Sequence, residues 1–314
     1  MFLRILFTVA AAVCIAQAAE VSKGVVARNV LTQKYHSESL NADRLYNVIL
    51  PMDYQQSTRR YPVLYLLHGL GDDHTAWTFM TNVSAYASRF GIIVVMPDVG
   101  RNWYVNSAAD PAAKYEDMIV KDLIPYIDSN YRSIPLRRAR AVAGLSMGGY
   151  GAMFLGLKHS GRFAAIGAFS GALAISHGTP MAVPSNATAE ARKRTEEMNA
   201  LFGPADSAAR KERDPFELLD KVPAGQMPLL YIACGGQDFL IKQNRDFVDL
   251  LASKKVPYEY REISPRVHSW DFWDDQIEIF LGILARTPGF PMGGPHPVQP
   301  QPMPQPMPQP MPQN

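Results

Sequence analysis

Residues 142–152, VAGLSMGGYGA, place one serine among four glycines directly after a short apolar run. The run is typical of a buried strand, and residues 150–159, YGAMFLGLKH, are typical of a helix. A serine flanked by glycines between a strand and a helix indicates a nucleophile elbow, a strained turn that lifts the hydroxyl out of the sheet edge. A glycine-rich turn whose serine only caps the helix is the alternative, but it does not explain Gly144 and Gly148 on both sides. The stretch therefore predicts Ser146 as a nucleophile.

Strand-like and helix-like stretches alternate along the chain, which predicts an α/β fold with a mainly parallel sheet and helices on both faces. Two further helices are predicted, from Tyr115 to Ile127, with Pro125 bending or loosening one turn, and from Ser269, a candidate N-cap, to residue 284. The eight predicted strands are residues 24–35, 43–51, 61–69, 92–98, 138–146, 164–171, 228–236 and 258–263.

The ends of the chain differ from its middle. Residues 1–19 carry Arg4, an apolar run and small residues near Ala18, which predicts a signal peptide and a secreted or periplasmic protein. A lipid anchor at Cys14 is the less favoured alternative. Residues 20–287 are predicted to form one domain with a lid-like insertion at about 174–222. The Pro, Met and Gln-rich residues 288–314 are predicted to be a disordered tail, serving as a spacer or, alternatively, as a wall-anchoring, partner-binding or metal-binding segment.

Charge argues against some partners. Lysine and arginine number 31 and aspartate and glutamate 29, a net charge of +2 without an extended basic cluster, so nucleic acid is not expected as a partner. No segment after the N-terminal run is long and apolar enough to predict a membrane span.

A serine nucleophile needs a base and a carboxylate that orients the base. Among the histidines after Ser146, only His268 follows a predicted strand and precedes a predicted helix, so it is the predicted base; a surface histidine that caps the helix is the alternative. Asp238, in a glycine-rich turn after strand 228–236, is the predicted acid, ahead of Asp98, Asp206 and Asp214. The other histidines of this region are His159, His177 and His296.

Two backbone amides are expected to bind the developing oxyanion. One is the amide of Met147, directly after the serine, and the other comes from the loop after the third strand, from Leu70 or the neighbouring Gly69. Residues 68–74, HGLGDDH, could also suggest a metal site, but the position after a strand favours the oxyanion loop, with His68 organising it. No metal and no other cofactor is predicted.

With these residues in place, the sequence resembles the esterase D-like branch of the α/β-hydrolases, which includes S-formylglutathione hydrolases, tributyrin-type esterases, feruloyl esterases and antigen-85 mycolyltransferases. The matching stretches run from about Tyr61 to Leu284 and include YPVLYLLHGLGDD, NWYVNS, AVAGLSMGGYGAMFLG, LLYIACGGQDFL and HSWDFWDDQIEIFL. The resemblance implies the α/β-hydrolase fold, a triad of Ser146, Asp238 and His268, and the Leu70 and Met147 amides as oxyanion hole.

Two details of the resemblance concern substrate access. Trp103 and Tyr104 match a loop that borders the acyl pocket in such enzymes, so both are expected near the substrate. The family commonly has glycine before its histidine, whereas this chain has Pro265, Arg266 and Val267, which could change access to the base.

The resulting expectation is a secreted serine carboxylesterase that hydrolyses short-chain acyl or aromatic esters, either small molecules or esters linked to polysaccharide. Two alternatives stay open: acyl transfer of the mycolyltransferase type, and a non-catalytic hydrolase homologue that binds carbohydrate or a surface. Hydrolysis of S-formylglutathione is less expected, because it is a cytosolic task and the chain carries a predicted export signal.

Overall fold

The computed structural model describes residues 29–178 and 188–292. The predicted signal peptide at 1–19, His296 and most of the predicted tail lie outside the described residues. The described chain forms one eight-stranded sheet in the order β1-β2-β4-β3-β5-β6-β7-β8. The β1–β2 and β2–β4 pairs are antiparallel and the remaining pairs are parallel, which confirms the predicted mainly parallel sheet.

The strands follow the predicted order along the chain. Their bounds are Val30–Ser37 (β1), Ala42–Ile49 (β2), Val63–Leu67 (β3), Ile93–Pro97 (β4), Arg140–Leu145 (β5), Ala165–Phe169 (β6), Leu229–Gly235 (β7) and Glu259–Ile263 (β8). β1 begins at Val30 and pairs with β2 as a hairpin, and residues 24–28 of the predicted first strand lie outside the described residues.

The helices lie between the strands and in the segment that joins β6 to β7. Their bounds are Ala76–Met80 (α1), Val83–Phe90 (α2), Tyr115–Asp117 with Met118–Leu123 and Ile124–Asn130 (together α3), Met147–Lys158 (α4), Ala189–Phe202 (α5), Ala208–Lys211 (α6), Pro215–Leu218 (α7), Ile241–Ser253 (α8) and Trp270–Arg286 (α9). Two 3₁₀ turns occupy Arg137–Ala139 and Leu219–Lys221.

The central strands are buried on both faces, as parallel strands between two helical layers must be. Along β3, Val63, Tyr65 and Leu67 pack into the core on the side of α3, α4 and α8. Leu64 and Leu66 point to the opposite core, which is shared with α1, α2 and α9. The two-residue period of a strand thus divides one apolar run between two cores.

Helix α3 is irregular at the position that Pro125 predicts. Its middle segment, Met118–Leu123, is π-helical, and Pro125 lies in the first turn of the α-helical segment that follows. Proline cannot donate the backbone hydrogen bond that continues a helix, and its ring crowds the preceding turn. The wider π turn accommodates this proline inside an otherwise continuous helix.

The insertion and the C-terminal segment both pack on the body. Helices α5 to α7 occupy the described part of the predicted insertion. Beyond α9, Phe290 is buried in the core beside α9, so the packed body continues past the boundary predicted at residue 287. Within residues 29–178 and 188–292, no helix has the length and apolar character needed to cross a membrane.

Candidate active site

Ser146 lies in a sharp turn between β5 and α4, with φ 53° and ψ −114°. The turn requires its flanking glycines, because a Cβ on Gly144 would lie 2.5 Å from the backbone of Gly148. A Cβ on Gly148 would lie 2.3 Å from the carbonyl oxygen of Leu67 on β3. Contacts this short are excluded for a carbon atom, so the glycines let strand and helix approach closely. The geometry is that of the predicted elbow.

His268 and Asp238 are brought together by the ends of neighbouring parallel strands. Asp238 follows β7, His268 follows β8, and His268 Nδ1 lies 2.8 Å from Asp238 Oδ2. Asp238 is buried, and its other oxygen accepts the Leu240 amide at 2.8 Å. Burial alone would raise the pKa of Asp238, but hydrogen bonds from His268, Leu240 and Ser170 hold the pKa below its ordinary value. An ionised carboxylate therefore faces the His268 ring.

Two glycines position the Asp238 turn against the His268 loop. A Cβ on Gly235 would lie 2.4 Å from the Arg266 carbonyl oxygen, and one on Gly236 would lie 2.1 Å from the Ser264 hydroxyl. The Gln237 amide donates to the Arg266 carbonyl at 3.0 Å. The residues that replace the family's usual glycine before the histidine are therefore part of the contact that holds the two loops together.

Ser170 is a residue of this site that the sequence reasoning missed. It directly follows β6, which lies between the strands that carry Ser146 and Asp238, and its hydroxyl accepts a hydrogen bond from the indole N–H of Trp273 at 3.2 Å. Its hydrogen bond to Asp238 helps to lower the pKa of that carboxyl. The sequence feature that could have indicated Ser170 was its position directly after an apolar strand, at the same edge of the sheet as Ser146.

No hydrogen bond joins the Ser146 hydroxyl to His268 in the described chain.

His159, His177 and His68 have other partners. His159 Nε2 lies 2.8 Å from Glu116, and His177 Nδ1 lies 2.7 Å from Asp214. His68 is buried, with Nδ1 2.8 Å from the Gly69 carbonyl oxygen and Nε2 accepting the Val99 amide at 3.2 Å. Burial lowers the pKa of His68, which favours this neutral, loop-organising state.

In the loop after β3, the backbone amides of Gly69 and Leu70 differ in whether they have a hydrogen-bond acceptor. The Gly69 amide donates to Asp72 at 3.2 Å, so it already has an acceptor. The amides of Leu70 and Met147 have no hydrogen-bond acceptor among the described residues. A Cβ on Gly69 would lie 3.8 Å from Ser146 Cβ, which places this loop beside the serine. The N–H groups of Leu70 and Met147 are therefore both free near Ser146. One belongs to the loop after β3 and the other to the first residue of α4.

Trp103 and Tyr104 have different surroundings in the structure. Trp103 lines a cleft of about 710 Å³ together with Leu70 and one face of α5. Tyr104 is fully buried, its hydroxyl donates to the His68 carbonyl at 2.9 Å, and its ring packs where a Cβ on Gly151 would lie 2.3 Å away. The side chain of Tyr104 therefore supports the loop after β3, and Trp103 is the one that faces the cleft.

Helix α5 covers this cleft from the insertion. Its last turn accepts backbone hydrogen bonds from Ala108 and Ala109, both at 3.0 Å, and Phe202 packs edge-to-face on Trp103 with the ring centroids 5.9 Å apart. The insertion thus closes the side of the site that carries Leu70.

Comparisons with known proteins identify similar chains. The family described as putative esterase matches residues 37–281. An acetyl esterase of Caldicellulosiruptor saccharolyticus is 28% identical over 260 residues, which cover 79% of this chain and 95% of that protein. The substrate-bound structure of the fluorophosphonate-binding serine hydrolase FphF of Staphylococcus aureus is 29% identical with a TM-score of 0.70, covering 82% of this chain and 98% of FphF. A ferulic acid esterase structure is 28% identical, with a TM-score of 0.67 over 82% and 97% of the two chains.

Proposed function

The chain belongs to the putative esterase family, and we propose that it hydrolyses carboxylic esters with Ser146 as nucleophile, His268 as general base and Asp238 as the orienting acid. The family match and the similar structures confirm the resemblance and the α/β-hydrolase fold inferred from the sequence. The family and the similar proteins also identify the chain as a carboxylic-ester hydrolase. The observation that carries the residue assignment is the 2.8 Å hydrogen bond between His268 and Asp238 at the sheet edge where Ser146 is exposed by its turn.

In the proposed first step, Ser146 Oγ attacks the ester carbonyl while His268 Nε2 takes the hydroxyl proton. Asp238 accepts a hydrogen bond from the N–H at His268 Nδ1 and stays ionised, because its pKa lies below the ordinary value. This charge stabilises the imidazolium that forms and keeps the ring in the tautomer that can accept a proton on Nε2.

The amides of Leu70 and Met147 are the proposed oxyanion hole, since both are free and lie beside the serine. Each such donor contributes about 3 kcal/mol to transition-state stabilisation. His268 then returns its proton to the leaving alcohol, the acyl group stays on Ser146, and water attacks the acyl-enzyme by the same route. The second step releases the acid and restores the serine hydroxyl.

For the substrate, we propose short-chain acyl or aromatic esters, free or linked to polysaccharide. The acetyl esterase and ferulic acid esterase among the similar proteins support this class. The cleft lined by Leu70 and Trp103 is the proposed site of the acyl portion. Gly69 and Tyr104 are proposed to hold the loop that carries Leu70, through the Gly69–Asp72 and Tyr104–His68 hydrogen bonds. Secretion is proposed from residues 1–19, as their sequence predicts.

The test is a turnover panel on the full chain, with Ser146→Ala as its matched control. The panel contains p-nitrophenyl esters from acetate to palmitate, methyl ferulate and acetylated xylan, each with and without a sugar acceptor. The expected result is hydrolysis of short or feruloyl esters that is insensitive to the acceptor and absent in Ser146→Ala. Turnover only with the acceptor would indicate acyl transfer, and activity retained in Ser146→Ala would overturn the nucleophile assignment.

A further inference from the structure

Phe239 is the most exposed large apolar side chain of the described chain, at 75%, and it directly follows Asp238. Its ring centroid lies 4.6 Å from that of His268, with the two planes tilted by 48°. Val267, directly before His268, is 46% exposed. Two solvent-facing apolar side chains therefore flank the histidine, although burial of such surface is normally favourable. We define Phe239 and Val267 as the histidine-side shelf.

The shelf and the cleft lie on opposite sides of Ser146. The sheet order β3-β5-β6-β7-β8 places Leu70 after β3, Ser146 after β5, and Phe239 and His268 after β7 and β8. The cleft with Leu70 and Trp103 is therefore on the β3 side of the serine. The shelf is on the side from which His268 reaches the reacting atoms.

Proton transfer links the shelf to one part of the substrate. His268 must come within hydrogen-bond distance of the ester oxygen that leaves, because it donates the proton to the departing alcohol. The carbon atoms attached to that oxygen then lie next to whatever surrounds the His268 ring. In this structure the exposed neighbour is Phe239, while Trp273 contacts the same ring from the buried side, with centroids 4.8 Å apart.

The positive charge beside the shelf is paired. Arg266, the cation of this loop, pairs with Asp271 and Asp275 on α9. Its guanidinium is therefore held by the helix, and the surface offered beside His268 is the face of a phenyl ring and an isopropyl group. A rigid aromatic face binds a flat apolar partner at a small entropic cost.

We propose that Phe239 and Val267 form the leaving-alcohol subsite, which selects esters whose alcohol carries a ring with an apolar face next to the ester oxygen. An aryl alcohol and a pyranose ring share this chemistry. The inference rests on the proposed function of Ser146 and His268. It gives the alcohol part of the ester a binding site separate from the cleft, which is the proposed site of the acyl part.

The experiment compares three acetate esters of primary alcohols: methyl acetate, 2-phenylethyl acetate and methyl 6-O-acetylglucopyranoside. The acyl group is constant, so a change in relative rate reports on the alcohol. The variants are Phe239→Ala, Phe239→Trp and, as matched control, Tyr258→Ala. Tyr258 is another exposed aromatic residue, but it precedes β8 and so lies at the opposite edge of the sheet from His268.

In Phe239→Ala, the ratio of kcat/KM for a ring-bearing ester to that for methyl acetate is expected to fall about tenfold, as for loss of an apolar contact in a substrate pocket. Phe239→Trp is expected to keep the ratio, and Tyr258→Ala to leave it at the wild-type value. A fall with the phenyl ester alone identifies an aryl alcohol, and a fall with the glycoside alone identifies a sugar.

An equal loss with all three esters, or a shifted pH profile of kcat/KM in Phe239→Ala, would overturn the proposal, because Phe239 would then act on His268 instead of the alcohol. An unchanged ratio would also overturn it. If the wild type hydrolyses the esters in a Ser146-dependent manner, these results count against the subsite alone. If the wild type hydrolyses none of them, the proposed function and the subsite fail together.

Discussion

Ser146 is held by hydrogen bonds in a conformation that residues with side chains rarely adopt. Its amide donates to the Phe169 carbonyl at 2.9 Å, and its carbonyl accepts the Tyr150 and Ala172 amides, both at 3.1 Å. The positive φ of 53° is therefore imposed by β6 and α4. Such backbone strain costs on the order of 1–3 kcal/mol and is tolerated where the surroundings determine it fully.

The strain predicts that two substitutions at one position differ in stability. Ser146→Gly and Ser146→Ala both remove the hydroxyl and should both abolish hydrolysis. Glycine adopts a positive φ without strain and alanine does not. Ser146→Gly is therefore expected to be more stable than Ser146→Ala, with a free energy of unfolding about 1 kcal/mol higher. Denaturant titration of both variants measures the difference. A Gly variant less stable than the Ala variant would contradict the strain account.

At the residue scale, some features of the site can be read from the sequence and others only from the structure. The glycines around Ser146 and the strand ends before Asp238 and His268 are visible in the sequence, and the structure brings the last two into hydrogen-bond contact. The sequence does not reveal that Asp72 accepts a hydrogen bond from the Gly69 amide, or that Trp103 lines the cleft while Tyr104 is fully buried. Both depend on contacts between distant segments, which residue type and spacing do not encode.

Helix α4 is the element whose packing sets the position of the serine. It begins directly after Ser146 and approaches β3 so closely that Gly148 touches the Leu67 backbone. Backbone atoms cannot move aside as the end of a flexible side chain can, so any added carbon must displace the helix.

Gly148→Ala is therefore expected to lower the free energy of unfolding by about 3 kcal/mol and to reduce activity together with stability. Gly161→Ala is the matched control, because a Cβ there has only the Gln226 side chain nearby, at 3.4 Å. Thermal and denaturant unfolding of both variants, with turnover of p-nitrophenyl acetate, test the expectation. Equal stability of the two variants would show that α4 can shift without cost.

A buried carboxylate ties α3 to the end of α4. Glu116 is buried and contacts Lys158 at 2.9 Å and His159 at 2.8 Å. Burial by itself would raise the pKa of Glu116, but the hydrogen bond from His159 and the charge of Lys158 lower it below the ordinary value. A lowered folded-state pKa contributes stability above the unfolded-state pKa, and this contribution is lost as pH falls through the folded-state pKa.

Glu116→Gln is accordingly expected to cost about 2 kcal/mol of unfolding free energy at pH 7. The difference from wild type should shrink as the pH falls through the lowered folded-state pKa of Glu116, because the protonated carboxyl then resembles the amide. Urea titrations at pH 7 and at a series of pH values below the ordinary glutamate range measure the change. A difference of the same size at all of these pH values would mean that the charge on Glu116 does not contribute to the contact.

At the scale of the whole molecule, the parallel sheet collects residues that are far apart in sequence. The ends of β3, β5, β6, β7 and β8 carry Leu70, Ser146, Ser170, Asp238 and His268 along one edge. The order of apolar runs predicts the sheet and this shared edge. The exposure of Phe239 and the π turn before Pro125 are not predictable from the same runs, because periodicity indicates which face of an element is apolar but not what covers it.

His268 and Asp238 are proposed to activate Ser146 as the nucleophile of this esterase. The most direct measurement is covalent labelling of the full chain with a fluorophosphonate, followed by peptide mass spectrometry, for wild type, Ser146→Ala and His268→Ala. One adduct is expected, on Ser146, that is absent in Ser146→Ala and forms about 10³-fold more slowly in His268→Ala. An adduct on another residue, or labelling of His268→Ala at the wild-type rate, would contradict it.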